Sequence, residues 1–176
     1  AGYPDGEGFP VLQFWFNRAD FNEDVIEAVA AMWEENLGIN VELRTNEWAV
    51  YLDYLDQCNN SKEDLAACTF NAYRMGWVMD YGDPQNQLEV VFAPSSTFQY
   101  TGWESERFDE LMAQAGASFD TAEREALYKE ADQILCGDEA AIIPVISYDR
   151  SILVKNGVTY EFPPFGAPHF RHWALP

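Results

Sequence analysis

The chain has 176 residues, of which 30 are acidic and 10 basic, so its formal net charge at pH 7 is −20. Such a charge repels phosphate backbones and anionic lipids, which disfavours roles on nucleic acid or on a membrane surface. At 48% hydrophobic and 15% aromatic residues, the chain has the composition of a folded domain rather than a disordered one. An acidic surface also simply keeps a protein in solution, so the charge names no ligand.

The first part of the chain has the pattern of a strand, a helix and a second strand. VLQFWF at 11–16 predicts a mostly buried strand, and INVELR at 39–44 alternates as a half-buried strand does. Between them, Asp20 or Asn22 is expected to cap a helix that Gly38 ends. Its apolar stripe consists of Val25, Val29, Met32, Trp33 and Leu37. This βαβ pattern favours parallel pairing and predicts an α/β fold.

The rest of the chain continues with helices and strands. Asn46 is expected to cap a helix over WAVYLDYL, and TFNAYRMGW at 69–77 predicts a strand. QNQLEVVF predicts a short helix. Ser105 and Asp120 are expected to cap two longer helices, the second of which has a capping-box signature with Glu123 and ends at Gly137. AIIPVISY at 141–148 and SILVK at 151–155 predict two more strands, with a bulge or sheet edge at Pro144.

The pattern of cysteines and histidines does not indicate a metal or cofactor site. Cys58 and Cys68 flank a polar loop whose ends can meet, so we predict a disulfide there, with three reduced thiols as the alternative. Cys136 ends an apolar helical stripe and is predicted to be a buried thiol. His169 and His172 have an H-x-x-H spacing among Pro and Gly rather than on a helix, so no metal is expected. There is no phosphate-binding or dinucleotide motif, and we expect no cofactor.

One stretch raises a question about a carboxylate. GWVMDYGDPQN, at 76–86, sets Asp80 among Trp77, Val78, Met79 and Tyr81. A poorly hydrated carboxylate is costly unless something pairs with it. Asp80 therefore either caps local backbone or pairs with Arg74, or it receives a positively charged ligand. An aromatic group nearby has the apolar walls and polar tips of a pocket; it consists of Tyr73, Trp77, Tyr81, Tyr100 and Trp103.

The same stretch carries a resemblance. YRMGWVMDYGDPQNQL resembles the R-x-G-W-x-x-D-Y-x-D-P signature of the family 5 extracellular solute-binding proteins, the oligopeptide- and dipeptide-binding components of ABC importers. Several other segments follow the C-terminal half of that family in order, so the resemblance covers nearly the whole chain. They are GYPDGEGFPVLQFWF, MWEENLGINVEL, NEWAVYLDYL, RFDELMAQA, TAEREALYKEADQIL and AAIIPVISY.

The resemblance implies an architecture of two α/β lobes that close on a ligand, the type II periplasmic-binding-protein (Venus-flytrap) fold, with a central mixed sheet flanked by helices. Residues 1–176 are then a single C-terminal lobe, with 156–176 as an irregular tail. The turn-rich opening AGYPDGEGFP fits a start inside a longer protein. Expected partners are a peptide, the N-terminal lobe of the parent protein and an ABC permease. The expected protein is a monomer, periplasmic or extracellular, with a possible lipid anchor on the preceding segment.

The resemblance also implies residue roles, carried over by motif position. Asp80 is expected to receive the α-ammonium of the ligand, Trp77 to line its pocket, and Arg74 to fix backbone or neighbouring polar groups. Val78 and Tyr81 complete the expected ligand-binding set. This describes a binding module and not an enzyme; a hydrolase using the acidic residues is disfavoured. An oligosaccharide, opine or metal chelate remains the alternative cargo within the family.

Overall fold

A computed structural model describes residues 2–60, 68, 70–148, 151–161, 171, 173 and 174. The chain divides into two compact units, Ala1–Gly76 and Trp77–Pro176. Among the described residues, no helix combines the length and the apolar composition needed to cross a bilayer.

The first unit is built on a three-stranded parallel sheet. Strand β1 (Leu12–Asn17) leads into helix α1 (Asp20–Leu37) and strand β2 (Val41–Asn46), and β1 pairs in parallel with β2 from Leu12 opposite Val41 onward. Strand β3 (Ala72–Tyr73) pairs in parallel with the other side of β1, giving the order β2-β1-β3. The predicted βαβ unit is confirmed.

The two faces of β1 are buried by different helices. Phe14 and Phe16 pack with Ile26 of α1, and Phe14 stacks on Trp33 with ring centroids 5.4 Å apart. On the other face, Trp15 is 5% exposed and lies edge-on to Tyr54 of helix α2 (Trp48–Asn60). A strand with hydrophobic side chains on both faces is typical of a sheet covered on both sides.

The prediction for α1 is wrong at its N-terminus and right at its C-terminus. The N-cap position is Ala19, without a capping side chain, and the Asn22 amide donates instead to the backbone oxygen of Asn17 at 3.2 Å. The predicted caps at Asp20 and Asn22 are therefore wrong. Gly38 does end the helix, at φ +66°. A Cβ at Gly38 would collide with the carbonyl of Asp5, so both conformation and close packing require glycine.

Helix α1 packs only part of its predicted apolar stripe against the sheet, since Val29 and Trp33 contact the cluster around Phe14 while two other members of the stripe are exposed. Ile26 and Ala30 are buried, whereas Met32 is 59% exposed and Leu37 is 52% exposed. Both exposed side chains lie in the second half of the helix, where the described part of the first unit offers them no cover.

A disulfide joins Cys58, near the end of α2, to Cys68, which precedes β3, and their Cα atoms are 5.2 Å apart. The strand predicted over 69–77 is shorter than expected, because β3 comprises only Ala72–Tyr73. Two backbone hydrogen bonds extend its pairing with β1 by one residue at each end, from Asn71 to Gln13 and from Arg74 to Trp15, both at 2.9 Å.

The second unit contains a helical core. Helices α3 (Gln85–Phe92), α4 (Glu106–Ala117) and α5 (Thr121–Gln133) are followed by a π-helical turn at Ile134–Asp138. The short helix predicted over 85–92 is confirmed. The helices bury one continuous apolar cluster, consisting of Leu88, Phe108, Leu111, Met112, Ala115, Tyr128, Ala131, Ile134 and Leu135.

The two predicted caps of α4 and α5 behave differently. Asp120 Oδ1 accepts the backbone N–H of Glu123 at 2.9 Å, which confirms it as a cap. Ser105 stands at the N-cap position of α4, but its hydroxyl donates to Glu139 at 2.9 Å instead of capping the helix. The capping prediction for Ser105 is therefore wrong, because its side chain is oriented toward the Glu139 carboxylate and its oxygen accepts no N–H of the first turn.

Cys136 lies within the π-helical turn and packs against the apolar cluster while remaining partly accessible. Its thiol contacts Asp132 Oδ1 at 3.5 Å. Burial, followed by the nearby charge of Asp132, raises the pKa of Cys136 to about 11, so the group stays a neutral thiol at physiological pH.

The two strands predicted after Gly137 are wrong for the described residues, since neither 141–148 nor 151–155 forms a strand there. A strand needs a neighbouring strand to bond its backbone groups, and the described residues supply no such strand beside these two segments. Large apolar side chains on both segments remain exposed, including Ile143 at 65% and Leu153 at 103%. In the described part of the tail, Thr159 and Ala174 form an antiparallel bridge. The histidine pair, His169 and His172, lies outside the described residues.

Candidate functional site

The signature motif crosses the boundary between the two units at Gly76. In the first unit, Arg74 follows β3 directly, and its Nη1 donates to Asn17 Oδ1 at 3.2 Å, beside the end of β1. Its carbonyl accepts the hydroxyl of Tyr51 at 2.6 Å, so this buried side chain of α2 holds its backbone. Arg74 is thus fixed at the carboxyl end of the central strand, where ligands collect in open α/β sheets.

In the second unit, Trp77 and Asp80 share one partner. The side-chain oxygen of Asn86 accepts the indole N–H of Trp77 at 2.9 Å and the backbone N–H of Asp80 at 3.1 Å. The Trp77 ring also lies against Phe98, with centroids 4.9 Å apart. The conformation between Trp77 and Asp80 is therefore set by contacts at both of its ends.

The carboxylate of Asp80 is exposed to solvent. Its neighbours do not cover it, because Val78 is 86% exposed and Tyr81 is 44% exposed. The expectation that Asp80 is poorly hydrated is therefore wrong for this chain by itself. Within the described residues the carboxylate also makes no hydrogen bond or ion pair, so it does not cap local backbone. It remains available to a ligand.

The local capping considered for Asp80 is done by Asp83 instead. Its Oδ1 accepts the backbone N–H of Gln85 at 2.9 Å, and its Oδ2 accepts Arg124 of α5 at 2.5 Å. Burial by itself would raise the pKa of Asp83, but the Gln85 N–H and the Arg124 guanidinium outweigh burial and lower it. Of the two carboxylates in the motif, that of Asp83 is held by hydrogen bonds and that of Asp80 is exposed to solvent.

Two other aromatic residues of the predicted group, Tyr81 and Trp103, have different environments. Tyr81 lies on the same loop as Trp77 and Asp80. Its hydroxyl donates to Gln85 Oε1, which ties its ring to the first residue of α3. Trp103 instead packs edge-on to Phe108 in the core and donates its indole N–H to Glu139 at 2.6 Å. Trp103 is therefore part of the helical core.

The loop carries groups that are chemically able to interact with a cation. The exposed carboxylate of Asp80 lies in sequence between Trp77 and Tyr81, and aromatic rings attract ammonium groups over their faces. Among the described residues there is no cluster of three His, Cys, Asp or Glu side chains that can hold a metal ion.

Comparison with known proteins decides the family. Residues 1–99 match the family described as "Bacterial extracellular solute-binding proteins, family 5 Middle". This chain belongs to the family 5 solute-binding proteins. Relatives include the oligopeptide-binding protein OppA of Bacillus subtilis, 31% identical over 97% of this chain, and the periplasmic oligopeptide-binding protein OppA of Escherichia coli, 34% identical over 90% of it. The chain spans only 30% and 27% of these two relatives.

A solved structure supports the same fold. The OppA of Haemophilus influenzae, crystallised with the peptide RPPGFSPFR, aligns with a TM-score of 0.71 and 26% identity over 90% of this chain and 29% of its own. The predicted fold class, part of a periplasmic-binding-protein α/β fold, is thereby confirmed, but the sheet of the described residues is parallel and not mixed as expected. The family consists of binding proteins and is described as extracellular.

Family 5 motif positions predict five site residues, and the sequence analysis missed two residues that hold parts of the motif in place. Asn86 bonds both Trp77 and Asp80, and Arg124 holds Asp83 from a helix that lies far along the chain. Asn86 could have been found from the sequence, since an Asn two residues after Asp-Pro stands in the first turn of a helix, where polar side chains bond nearby backbone. For Arg124, 41 residues from Asp83, the sequence contains no such signal.

Proposed function

We propose that residues 1–176 are the C-terminal lobe, with 156–176 as its tail, of a two-lobed solute-binding protein that delivers peptides to an ABC permease. The peptide binds non-covalently between this lobe and the N-terminal lobe of the parent protein. The protein acts as a monomer in the periplasm or outside the cell, and any lipid anchor is carried by a part of the parent that precedes this sequence. It binds its cargo without catalysing a reaction.

The observation that carries this proposal is the open carboxylate of Asp80 on a loop whose backbone is fixed. A peptide amino terminus brings a compact ammonium group that carboxylates accept well. The resulting charge-assisted hydrogen bond is worth about 1.5–3 kcal/mol once water is excluded. Because Asp80 is exposed in this chain by itself, the second lobe must supply that exclusion, and one lobe alone is expected to bind weakly.

The other motif residues take supporting roles in the proposal. Trp77, Val78 and Tyr81 offer apolar surface beside the ammonium, and Tyr81 and Val78 have exposed area for a ligand to cover. Arg74, held by Asn17 and Tyr51, fixes the strand end from which the motif starts. The names of the OppA relatives and the peptide in the solved relative favour peptides as the cargo.

A ligand screen on the full-length protein tests this function. Thermal shift against pools of short peptides and pools of oligosaccharides should show stabilisation by peptides, because a bound ligand stabilises the folded state by mass action. Stabilisation by sugars and not by peptides would support the alternative cargo. Turnover of any peptide by the purified protein would contradict the binding role.

A further inference from the structure

The side chain of Asn86 is almost completely buried, at 1% exposure, although it is polar and lies one residue from a surface loop. It is the second residue of α3, and its own backbone N–H donates to the carbonyl of Asp83 at 3.0 Å. Its position is therefore fixed by the first turn of the helix and by the anchored turn before it.

The direction of the Asn86 amide follows from its partners. Both groups that meet its side chain are donors, the indole N–H of Trp77 and the backbone N–H of Asp80. Only an oxygen can accept from them, and one carbonyl oxygen has two lone pairs for two donors. An apolar side chain here would leave both donors to find other partners, and a buried donor without a partner is costly.

These two donors belong to Trp77 and Asp80, which in the proposed function line the pocket and receive the ammonium group of the peptide. Trp77 and Asp80 lie three residues apart, separated by the exposed Val78 and the partly buried Met79. Because one oxygen holds the indole edge and the Asp80 peptide plane together, it sets where the carboxylate stands relative to the ring. Free rotation at either point would change that geometry.

We propose that Asn86 is a positioning residue of the ligand site, which acts by holding the Trp77 indole and the Asp80 backbone in one fixed arrangement. This inference rests on the proposed function for its effect on affinity. Its structural part, the shared hydrogen bonds, can be measured without a ligand. Asn86 itself does not touch the ligand.

The test uses the full-length protein and compares Asn86→Leu with the conservative Asn86→Asp and with Val91→Ala. Aspartate keeps an acceptor of nearly the same shape, and a negative charge is favourable in the first turn of a helix. Val91 is buried on the same helix but meets neither donor, so its replacement reports the cost of weakened packing alone. The readouts are peptide affinity by calorimetry and the indole N–H resonance of Trp77 in ¹H–¹⁵N spectra, identified from Trp77→Phe.

The expected result is a weakening of peptide binding by Asn86→Leu of about 5- to 100-fold, the range that corresponds to losing one or two hydrogen bonds. The Trp77 indole resonance should shift to the position of an exposed indole in the same variant. Asn86→Asp should recover most of the affinity and the resonance, and Val91→Ala should bind as the parent protein does. Unchanged affinity and an unchanged resonance in Asn86→Leu would overturn the inference.

Two further outcomes remain informative. If Asn86→Leu does not fold, hydrogen exchange in the unsubstituted protein decides, since the Trp77 indole and the Asp80 amide should both be protected; exchange at the rate of exposed groups overturns the inference. If the full-length protein binds no peptide, the proposed function fails, and the resonance and exchange data alone decide whether Asn86 holds the two groups.

Discussion

Arg124 donates to Asp83 at 2.5 Å and thereby joins the turn of the signature motif to helix α5. The same guanidinium donates to the carbonyl of Ala115 at 2.5 Å and to the hydroxyl of Tyr128 at 3.0 Å. One side chain therefore connects the turn, the end of α4 and the middle of α5. The loop that carries Asp80 is braced by this connection on one side and by Asn86 on the other.

We expect Arg124→Ala to destabilise the protein at pH 7 and to do so less at low pH. The pKa of Asp83 is lowered in the folded state, so its contribution to stability is present above its ordinary pKa of about 4. That contribution is lost as the pH falls through the lowered value, because the protonated carboxyl no longer pairs with Arg124. Urea unfolding of the parent and the variant at pH 7 and at pH 2–3 measures the difference.

A matched control for this experiment is Lys129→Ala on the same helix. Lys129 pairs with Glu125 at the surface, with both side chains more than half exposed, and such pairs contribute little. Its replacement should change stability far less than that of Arg124 at pH 7. A destabilisation by Arg124→Ala that stays constant from pH 7 to pH 2 would show that Asp83 is not the partner that matters.

The disulfide gives a separate prediction. Without reductant, the denatured chain should contain one free thiol, that of Cys136, because Cys58 and Cys68 are joined. Replacing both by serine should lower the free energy of unfolding by about 2–4 kcal/mol, chiefly because the unfolded chain regains freedom. Thiol titration in denaturant and urea unfolding of the double variant measure these two quantities. Three reactive thiols in the untreated chain would contradict the disulfide.

Much of the fold could be predicted because local chemistry decides it. The buried run of β1, the alternation of β2 and Gly38 after α1 predict the parallel βαβ unit that the structure contains. The strands predicted at 141–148 and 151–155 do not form in the described residues, although their composition is that of strands. Strand composition only shows that a segment suits a sheet, and forming one also requires a partner whose presence the segment itself does not encode.

For the candidate site, the motif predicts which residues belong to it, but it does not predict their environment. The motif named Asp80 and Trp77, and both lie on the loop that Asn86 holds. The expected burial of Asp80 failed because apolar neighbours in sequence need not cover a carboxylate in space, and Val78 and Tyr81 turn outward here. The capping role that the motif suggested for Asp80 belongs to Asp83, whose second partner comes from a distant helix.

The central claim is that Asp80 receives the ammonium group of a peptide ligand. Calorimetry on the full-length protein should compare one binding peptide with its N-acetylated form, using the unsubstituted protein and Asp80→Asn. Asparagine keeps the size of the side chain and removes only its charge. The account predicts that acetylation weakens binding to the unsubstituted protein by about 10- to 100-fold, the equivalent of about 1.5–3 kcal/mol.

Asp80→Asn should weaken binding of the free peptide by a similar factor, and acetylation should then cost little more, because the two changes remove the same interaction. Equal affinity of the unsubstituted protein and Asp80→Asn for the free peptide would contradict the account.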